Sequence, residues 1–392
     1  MKKRLLYNEL VRYLNHKNAL IITGMRQVGK TTLMRQIYDE IKNAKLWFDF
    51  ENPLDTMCFE DEDYNNIYKN LIKQANNEKP VIFIDEIQNF PRITSIIKYH
   101  IDHYKLKYII TGSSNFYLRN LFPESLSGRK FLFTLRPLDF AEIKYFKDIN
   151  YDEKTIRDLK FEELTGKSLI EYKRLSVLYE EYLEFGGFPE VVVTDNMESK
   201  KMVLRNIFAS FFEKDLKLLS DIKDIRELRN LILLLVPRTG NMIDVTRIAS
   251  ELGISRIKVY DYLEFLQGTF FIRLIPKFSS SIDKSVAGGR KLYFSDTGIL
   301  NVIGKVNDGQ LFENAVANQL SSFGELSFYN KRNSAEIDFI LNKKIAFEAK
   351  MNATSSDYNK TKSIASSLAI DRCFVISKNH AKYENVIPAP FL

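Results

Sequence analysis

Residues 19–32, ALIITGMRQVGKTT, decide how the rest of the chain is read. An apolar run, Ala19–Thr23, leads into the spacing Gly24-x-x-x-x-Gly29-Lys30-Thr31, and a helical pattern, TTLMRQIYDEI, follows. Strand, glycine loop and helix together are the context in which this spacing binds phosphate. Gly24 and Gly29 let the backbone curl so that successive N–H groups point inward. The helix starting near Lys30 brings the positive end of its dipole to the same place. Lys30 is expected to reach the β- and γ-phosphates of ATP. Thr31 is expected to offer its hydroxyl to Mg2+, and Thr32 to make a further phosphate contact. A chance glycine-rich turn is the alternative, and the flanking strand and helix argue against it.

Working outward, ALIIT, LWFDF, VIFID, KYIITG and KFLFTL read as buried strands alternating with helical patterns, the rhythm of an α/β domain with a parallel sheet. VIFIDEIQ delivers Asp85 and Glu86 to the end of such a strand, where the crevice of a parallel sheet binds its ligand. Asp85 is expected to hold the Mg2+ shell and Glu86 to orient and deprotonate the attacking water. An acidic pair opening a helix would look the same in isolation; the phosphate loop upstream favours the catalytic reading. In YIITGSSN, the hydroxyls of Ser113 and Ser114, or the Asn115 amide, suit a γ-phosphate or water contact, and equally a structural turn. In ESLSGRK, Arg129 suits the stabilisation of transition-state charge, in cis or from a neighbouring subunit, and equally a plain surface arginine.

Composition narrows the rest. The 392 residues are 45% hydrophobic and 27% charged, with a net charge of +7, so nucleic-acid contact is permitted but not demanded. Two cysteines, Cys58 and Cys373, far apart and without a CxxC companion, argue against a disulfide framework or a cysteine zinc site. The longest apolar run, LILLLV, is far short of a membrane helix, and the start MKKRLLYNEL lacks the apolar stretch of a secretion signal. A cytoplasmic protein with no membrane partner is expected.

GMRQVGKTTL, IFIDEIQNFP, ITGSSN and ESLSGRKFLFTLRPLDFAE resemble the AAA-type predicted ATPases of bacteria and archaea. YLEFGGFPEVV and KLYFSDTGIL resemble the C-terminal half of the same family, so the resemblance extends over nearly the whole chain. It implies an ATPase core followed by a winged helix and a restriction-endonuclease-like domain.

Residues 243–278 have a logic of their own. Val245, Ile248, Ala249 and Leu252 share a helical face, Gly253 permits a tight turn, and Ser255 can cap a second helix carrying Val259, Leu263 and Leu266 inward. TFFIRLIPKF and RKLYFS would pair as strands, with Lys284, Arg290 and Lys291 in or near the wing between them. Reading DNA would put the second helix in the major groove, led by Arg256 and Lys258, with Asp261 working against them. Packing against a protein is the equal alternative.

AEIDFILNKKIAFEAK, residues 335–350, reads as a hairpin. A three-residue loop, 342–344, pairs Leu341 with Ile345, sets Asp338 opposite Glu348 and Glu336 opposite Lys350, and turns Ile337, Phe339, Leu341, Ile345, Phe347 and Ala349 to a core. Like charges across a ladder repel unless a divalent cation lies between them. Lys350 would stabilise developing charge there. Glu313, on the apolar face of LFENAVANQLSSF with Val316, Ala317 and Leu320, needs a partner. Glu313, Asp338 and Glu348-x-Lys350 match the metal and catalytic positions of the endonuclease-like domain that the resemblance implies, although EID stands where a Pro-Asp pair is common. A solvated hairpin with a Glu336–Lys350 ion pair is the bland alternative.

The expected organisation is an α/β P-loop NTPase core with a parallel sheet and helices on both faces (1–145), a helical connector (146–235), a winged helix (236–295) and a mixed α/β endonuclease-like domain (296–392). Two functions fit it. One is an Mg2+-dependent ATPase coupled to DNA binding or cleavage. The other is an ATP-driven switch whose C-terminal half meets a protein partner or a second copy of the chain.

Overall fold

The computed structural model describes residues 2–112, 128–149, 160–215, 222–279, 289–331 and 335–392. Two compact units are formed, Met1–Arg136 with Gly268–Phe270, and Pro137–Gln267 with Phe271–Leu392. Among the described residues no helix is long and apolar enough to cross a membrane.

The first unit is built on five parallel strands, β1 (Ala19–Thr23), β2 (Lys45–Asp49), β3 (Val81–Asp85), β4 (Lys107–Gly112) and β5 (Lys130–Thr134), in the order β2-β3-β4-β1-β5. These are the five runs expected from the sequence. Every residue of β1 is buried, as a strand covered on both faces requires. Ile21, Ile84 and Ile110 share one core with Ile96, Ile97 and Ile101 of the Ile93–Tyr104 helix. Each such side chain contributes about 1.5–3 kcal/mol by leaving water.

The strand order matters for function. β4 lies between β3 and β1, with Ile84 level with Ile110 and Ile22 level with Thr111. The ends of β1 and β3 therefore stand two strand spacings apart, on the order of 10 Å, with Thr111 between them.

In the second unit the Val245–Leu252 helix ends at Gly253, in the left-handed region at φ 65°, and the Arg256–Gly268 helix follows. The Ser255 hydroxyl accepts the Lys258 N–H at 3.2 Å, as a helix cap does. β6 (Ile272–Pro276) and β7 (Arg290–Phe294) then pair antiparallel, Ile272 with Phe294 and Pro276 with Arg290. Lys284 lies outside the described residues.

The C-terminal sheet has five strands, β8 (Leu326–Lys331), β9 (Ala335–Leu341), β10 (Ile345–Lys350), β11 (Arg372–Ser377) and β12 (Val386–Pro388), in the order β12-β11-β10-β9-β8. β8, β9 and β10 are antiparallel neighbours, whereas β11 and β12 run parallel to β10. Phe339, Leu341, Ile345 and Phe347 pack with Phe312, Val316 and Leu320 of the Asp308–Leu320 helix. Ile340 and Ala346 pack on the other face with Ala365 of the Ser355–Ser367 helix.

The hairpin register is the expected one. Leu341 pairs with Ile345 and Phe339 with Phe347, while Asn342 and Lys343 turn the chain at positive φ. On its other side β9 departs from expectation. Ser327 pairs with Ile340 but Tyr329 with Ile337, so one residue of β8 faces two of β9, Asp338 and Phe339. That bulge reverses the faces beyond it. Ile337 consequently packs with Ile340 and Ala346, not with Phe339.

The two segments YLEFGGFPEVV and KLYFSDTGIL are brought together by a buried carboxylate. Asp296 accepts the Gly187 N–H at 2.7 Å and the Ile299 N–H at 2.9 Å, capping the Thr297–Ile303 helix and fastening the chain where the Leu169–Phe185 helix ends at Gly186. Burial pushes its carboxyl up to about 6, against the pull of those N–H donors.

Candidate functional site: a phosphate loop and a buried carboxylate cluster

At the C-terminal end of β1 the loop closes on itself. A Cβ at Gly24, where φ is +146°, would lie 2.0 Å from the Leu135 carbonyl oxygen, so only glycine lets the chain pass. The helix Lys30–Glu40 starts from Gly29, which is also left-handed at φ 94°. Lys30 is 5% exposed. Its ammonium donates to the carbonyls of Gly24 at 3.0 Å and Met25 at 2.8 Å, the mouth of the loop into which a phosphate chain would fit. Thr31 opens the same helix, and its hydroxyl is among the groups that favour the charged form of Asp85. Thr32 is the next residue along.

Asp85, at the end of β3, is buried and also takes the Thr111 hydroxyl. Burial raises its carboxyl above the ordinary value, and the donated hydroxyls of Thr111 and Thr31 work the other way. A cation beside it would favour the charged form further. Glu86 follows in the left-handed conformation, φ 54° and ψ 53°. For a residue with a side chain this costs on the order of 1–3 kcal/mol, and such strain gathers at working sites. The Glu86 N–H donates to Thr111 Oγ1 at 3.1 Å, and Gln88 holds the Glu86 carboxylate. Thr111 thus ties both acids to β4. The sequence reading missed it because a threonine inside an apolar strand looks like filler.

Ser113, Ser114 and Asn115 lie outside the described residues. Arg129 is placed elsewhere. Its carbonyl accepts the N–H of Ala19, the first residue of β1, so it stands at the opposite end of that strand from the phosphate loop. Four residue steps separate the two ends, about 13 Å. Its guanidinium is paired with Asp102 at 2.6 Å. The expected action in cis on the γ-phosphate is therefore corrected: this arginine braces the start of β5 against the Ile93–Tyr104 helix.

Residues 16–144 match the family model described as "AAA domain". Over that stretch, about a third of its length, the chain is similar to AAA-type ATPase domains. Residues 176–310 and 308–392 match two further models, each described as a domain of unknown function. An uncharacterized protein of Methanocaldococcus jannaschii is 29% identical over 333 residues, covering 82% of this chain and 71% of its own. An uncharacterized protein of Haemophilus influenzae is 25% identical over 370 residues, covering 89% and 87%. Among solved structures, the Walker-type ATPase PABY2304 of Pyrococcus abyssi aligns at 15% identity with a TM-score of 0.44, covering 76% of this chain and 94% of its own. At that TM-score the likeness carries no argument about function.

The second cluster lies in the other unit. Asp338, in the bulge of β9, accepts the Ala349 N–H at 3.1 Å, and Lys350 pairs with Glu348 at 2.6 Å. Glu313 receives the Tyr293 hydroxyl at 2.5 Å. Gly240, at φ +77°, leaves room for that carboxylate, because a Cβ there would lie 3.3 Å from Glu313 Oε2. Burial first, and the Asp338 charge second, push the Glu313 and Glu348 carboxyls up to about 7. Glu313, Asp338, Glu348 and Lys350 are thus brought together as expected.

Two placements were not expected. Lys291, placed from sequence in or near the wing, is buried, and its ammonium meets Glu336 at 2.9 Å, Asp338 at 3.3 Å and Glu313 at 3.5 Å. Burial opposes its charge, but Asp338, Glu313 and Glu336 outweigh that and hold it well above the ordinary lysine value. Glu336 accordingly faces Lys291, not Lys350, because the bulge turns it. A divalent metal does not fit this arrangement. Among the described residues no group of three or more Asp, Glu, His or Cys side chains is set to hold a metal ion, and the carboxylates converge on an ammonium.

Proposed function

We propose that the chain hydrolyses ATP with Mg2+ at the phosphate loop, and that it works as an ATP-driven switch. The observation that carries the reading is the tying of Asp85 and Glu86 to Thr111 at the ends of β3 and β4, beside the strand β1 that leads into the glycine loop. Lys30 exchanges its loop carbonyls for phosphate oxygens. Thr31 and Asp85 would hold Mg2+, which would supply positive charge against the developing negative charge. Glu86 accepts the proton of the attacking water, and its left-handed backbone fixes where the carboxylate stands.

The C-terminal half we read as a winged helix and an endonuclease-like sheet that binds without cutting. Two observations support this. The carboxylate cluster is filled by Lys291. The outward face of the Arg256–Gly268 helix carries exposed Ile257 and Tyr260 with Asp261 and Glu264, while Lys258 is tied to Glu227 at 2.6 Å. Apolar and acidic groups suit a protein surface better than a phosphate backbone.

A second reading, coupling to DNA, is favoured by the helix–turn–helix and hairpin order and by exposed Arg256 and Arg290. Anisotropy titrations against duplex DNA separate the two. Affinity falling steeply with salt supports DNA coupling, and no salt-dependent binding supports the protein-facing switch. For the site itself, Lys30→Ala is expected to abolish ATP binding and turnover. Retention of both by this variant would end the assignment.

A further inference from the structure

Lys291 projects from β7 into the space shared by the Asp308–Leu320 helix and β9. An ammonium has three N–H donors, and three carboxylates, Glu313, Glu336 and Asp338, lie within 3.5 Å of it. The donors are all answered. Tyr293, two residues along the same strand and so on the same face, adds its hydroxyl to Glu313. Nearby, Glu348 Oε2 is buried and has no hydrogen-bond partner, while Glu348 Oε1 is held by Lys350.

A divalent cation binding Asp338 and Glu313 would need the oxygens that Lys291 already holds, at distances near 2.1–2.4 Å. Two cations cannot share that space without strong repulsion. The ammonium is itself buried, on a strand that is buried from Lys291 to Phe294. Removing it from its partners would leave a charged group in an apolar setting.

We propose that Lys291 is the built-in cation of the C-terminal carboxylate cluster and that its ammonium keeps divalent metal out. The specificity of the cluster is set by a lysine of the β6–β7 hairpin, 47 residues from Asp338 in sequence. Metal affinity is therefore latent in the same acids and is released by removing one positive charge.

The test uses nucleotide-free full-length protein and Mn2+ followed by electron paramagnetic resonance. Wild type and Glu348→Gln are expected to show the same weak background. Lys291→Met is expected to gain one Mn2+ site at least about tenfold tighter than that background. Glu348→Gln in the Lys291→Met protein should remove the gained site. Lys291→Arg keeps a cation in place and should stay at background, which serves if the methionine variant does not fold. The proposal is overturned if wild type binds a Mn2+ that Glu348→Gln abolishes, if Lys291→Met gains no site, or if Lys291→Arg gains one.

Discussion

Replacing Lys291 by methionine keeps most of the side chain's length and removes its charge. What remains is Glu313, Glu336 and Asp338 facing one another without an ammonium. At an effective dielectric of about 20, a unit pair at the 3.3 Å of Lys291–Asp338 attracts by about 5 kcal/mol, before the cost of desolvation. Glu336, whose side chain is 46% exposed, adds little because water screens it. Breaking a buried pair by removing one member typically costs about 3–5 kcal/mol, and that is the expected loss at pH 8. The loss should shrink with acid. Glu313 titrates at about 7, so at pH 5.5 it is protonated. In the variant this removes an uncompensated charge, whereas in wild type it removes an attraction. Losing Lys291 raises the Glu313 carboxyl further in the variant, so acid stabilises the variant more than wild type and the difference between the two proteins should narrow. Urea unfolding followed by far-ultraviolet circular dichroism at the two pH values measures this. A loss below about 1 kcal/mol at pH 8, or one independent of pH, would refute the picture of an ammonium neutralising buried carboxylates.

Further expectations concern residues away from that cluster. Arg129→Ala should leave the ATPase rate of the monomer unchanged and cost little stability, since water screens its pair with Asp102; a large loss of turnover would return it to the catalytic site. Asp296 has a native value of about 6, above its unfolded value, so the native state holds more protons between about pH 4 and 6 and stability falls as pH rises through that window. Asp296→Asn should flatten this slope by on the order of 3 kcal/mol, read as urea midpoints from pH 4 to 7. An unchanged slope would show that this carboxylate is not the group responsible. Thr111→Val should weaken turnover with little loss of nucleotide affinity, because it frees Asp85 and Glu86 without touching the phosphate loop; equal loss of both would mean the strand itself had shifted.

The phosphate site was legible because its signals are local. A glycine spacing between a strand and a helix, and an acidic pair ending an apolar run, need no knowledge of distant contacts. The β9–β10 register was legible for a related reason: alternation of apolar residues fixes which face is buried, and only one loop length satisfies both strands. Its far side was not. A bulge leaves no mark on alternation until the third strand, β8, is known, so Ile337 and Glu336 were assigned to the wrong sides. The partners of Lys291 were not foreseen, because residues 22 and 47 positions away are invisible to local pattern. The available signal was a lysine beside Leu292, Tyr293 and Phe294 in a buried strand, a charge that burial obliges to find a partner. The cis reading of Arg129 lacked direction: in a parallel sheet only strand ends that follow the strand reach the crevice, and Arg129 precedes β5.

The role we propose for Glu86 is proton transfer at a site that Lys30 and Thr31 build for the phosphates. Steady-state ATP hydrolysis and nucleotide affinity, measured side by side in wild type and Glu86→Gln with Mg2+ present, test it most directly. The expected result is binding within about threefold of wild type and turnover reduced by about 10²–10⁴. Hydrolysis by Glu86→Gln at the wild-type rate would contradict it.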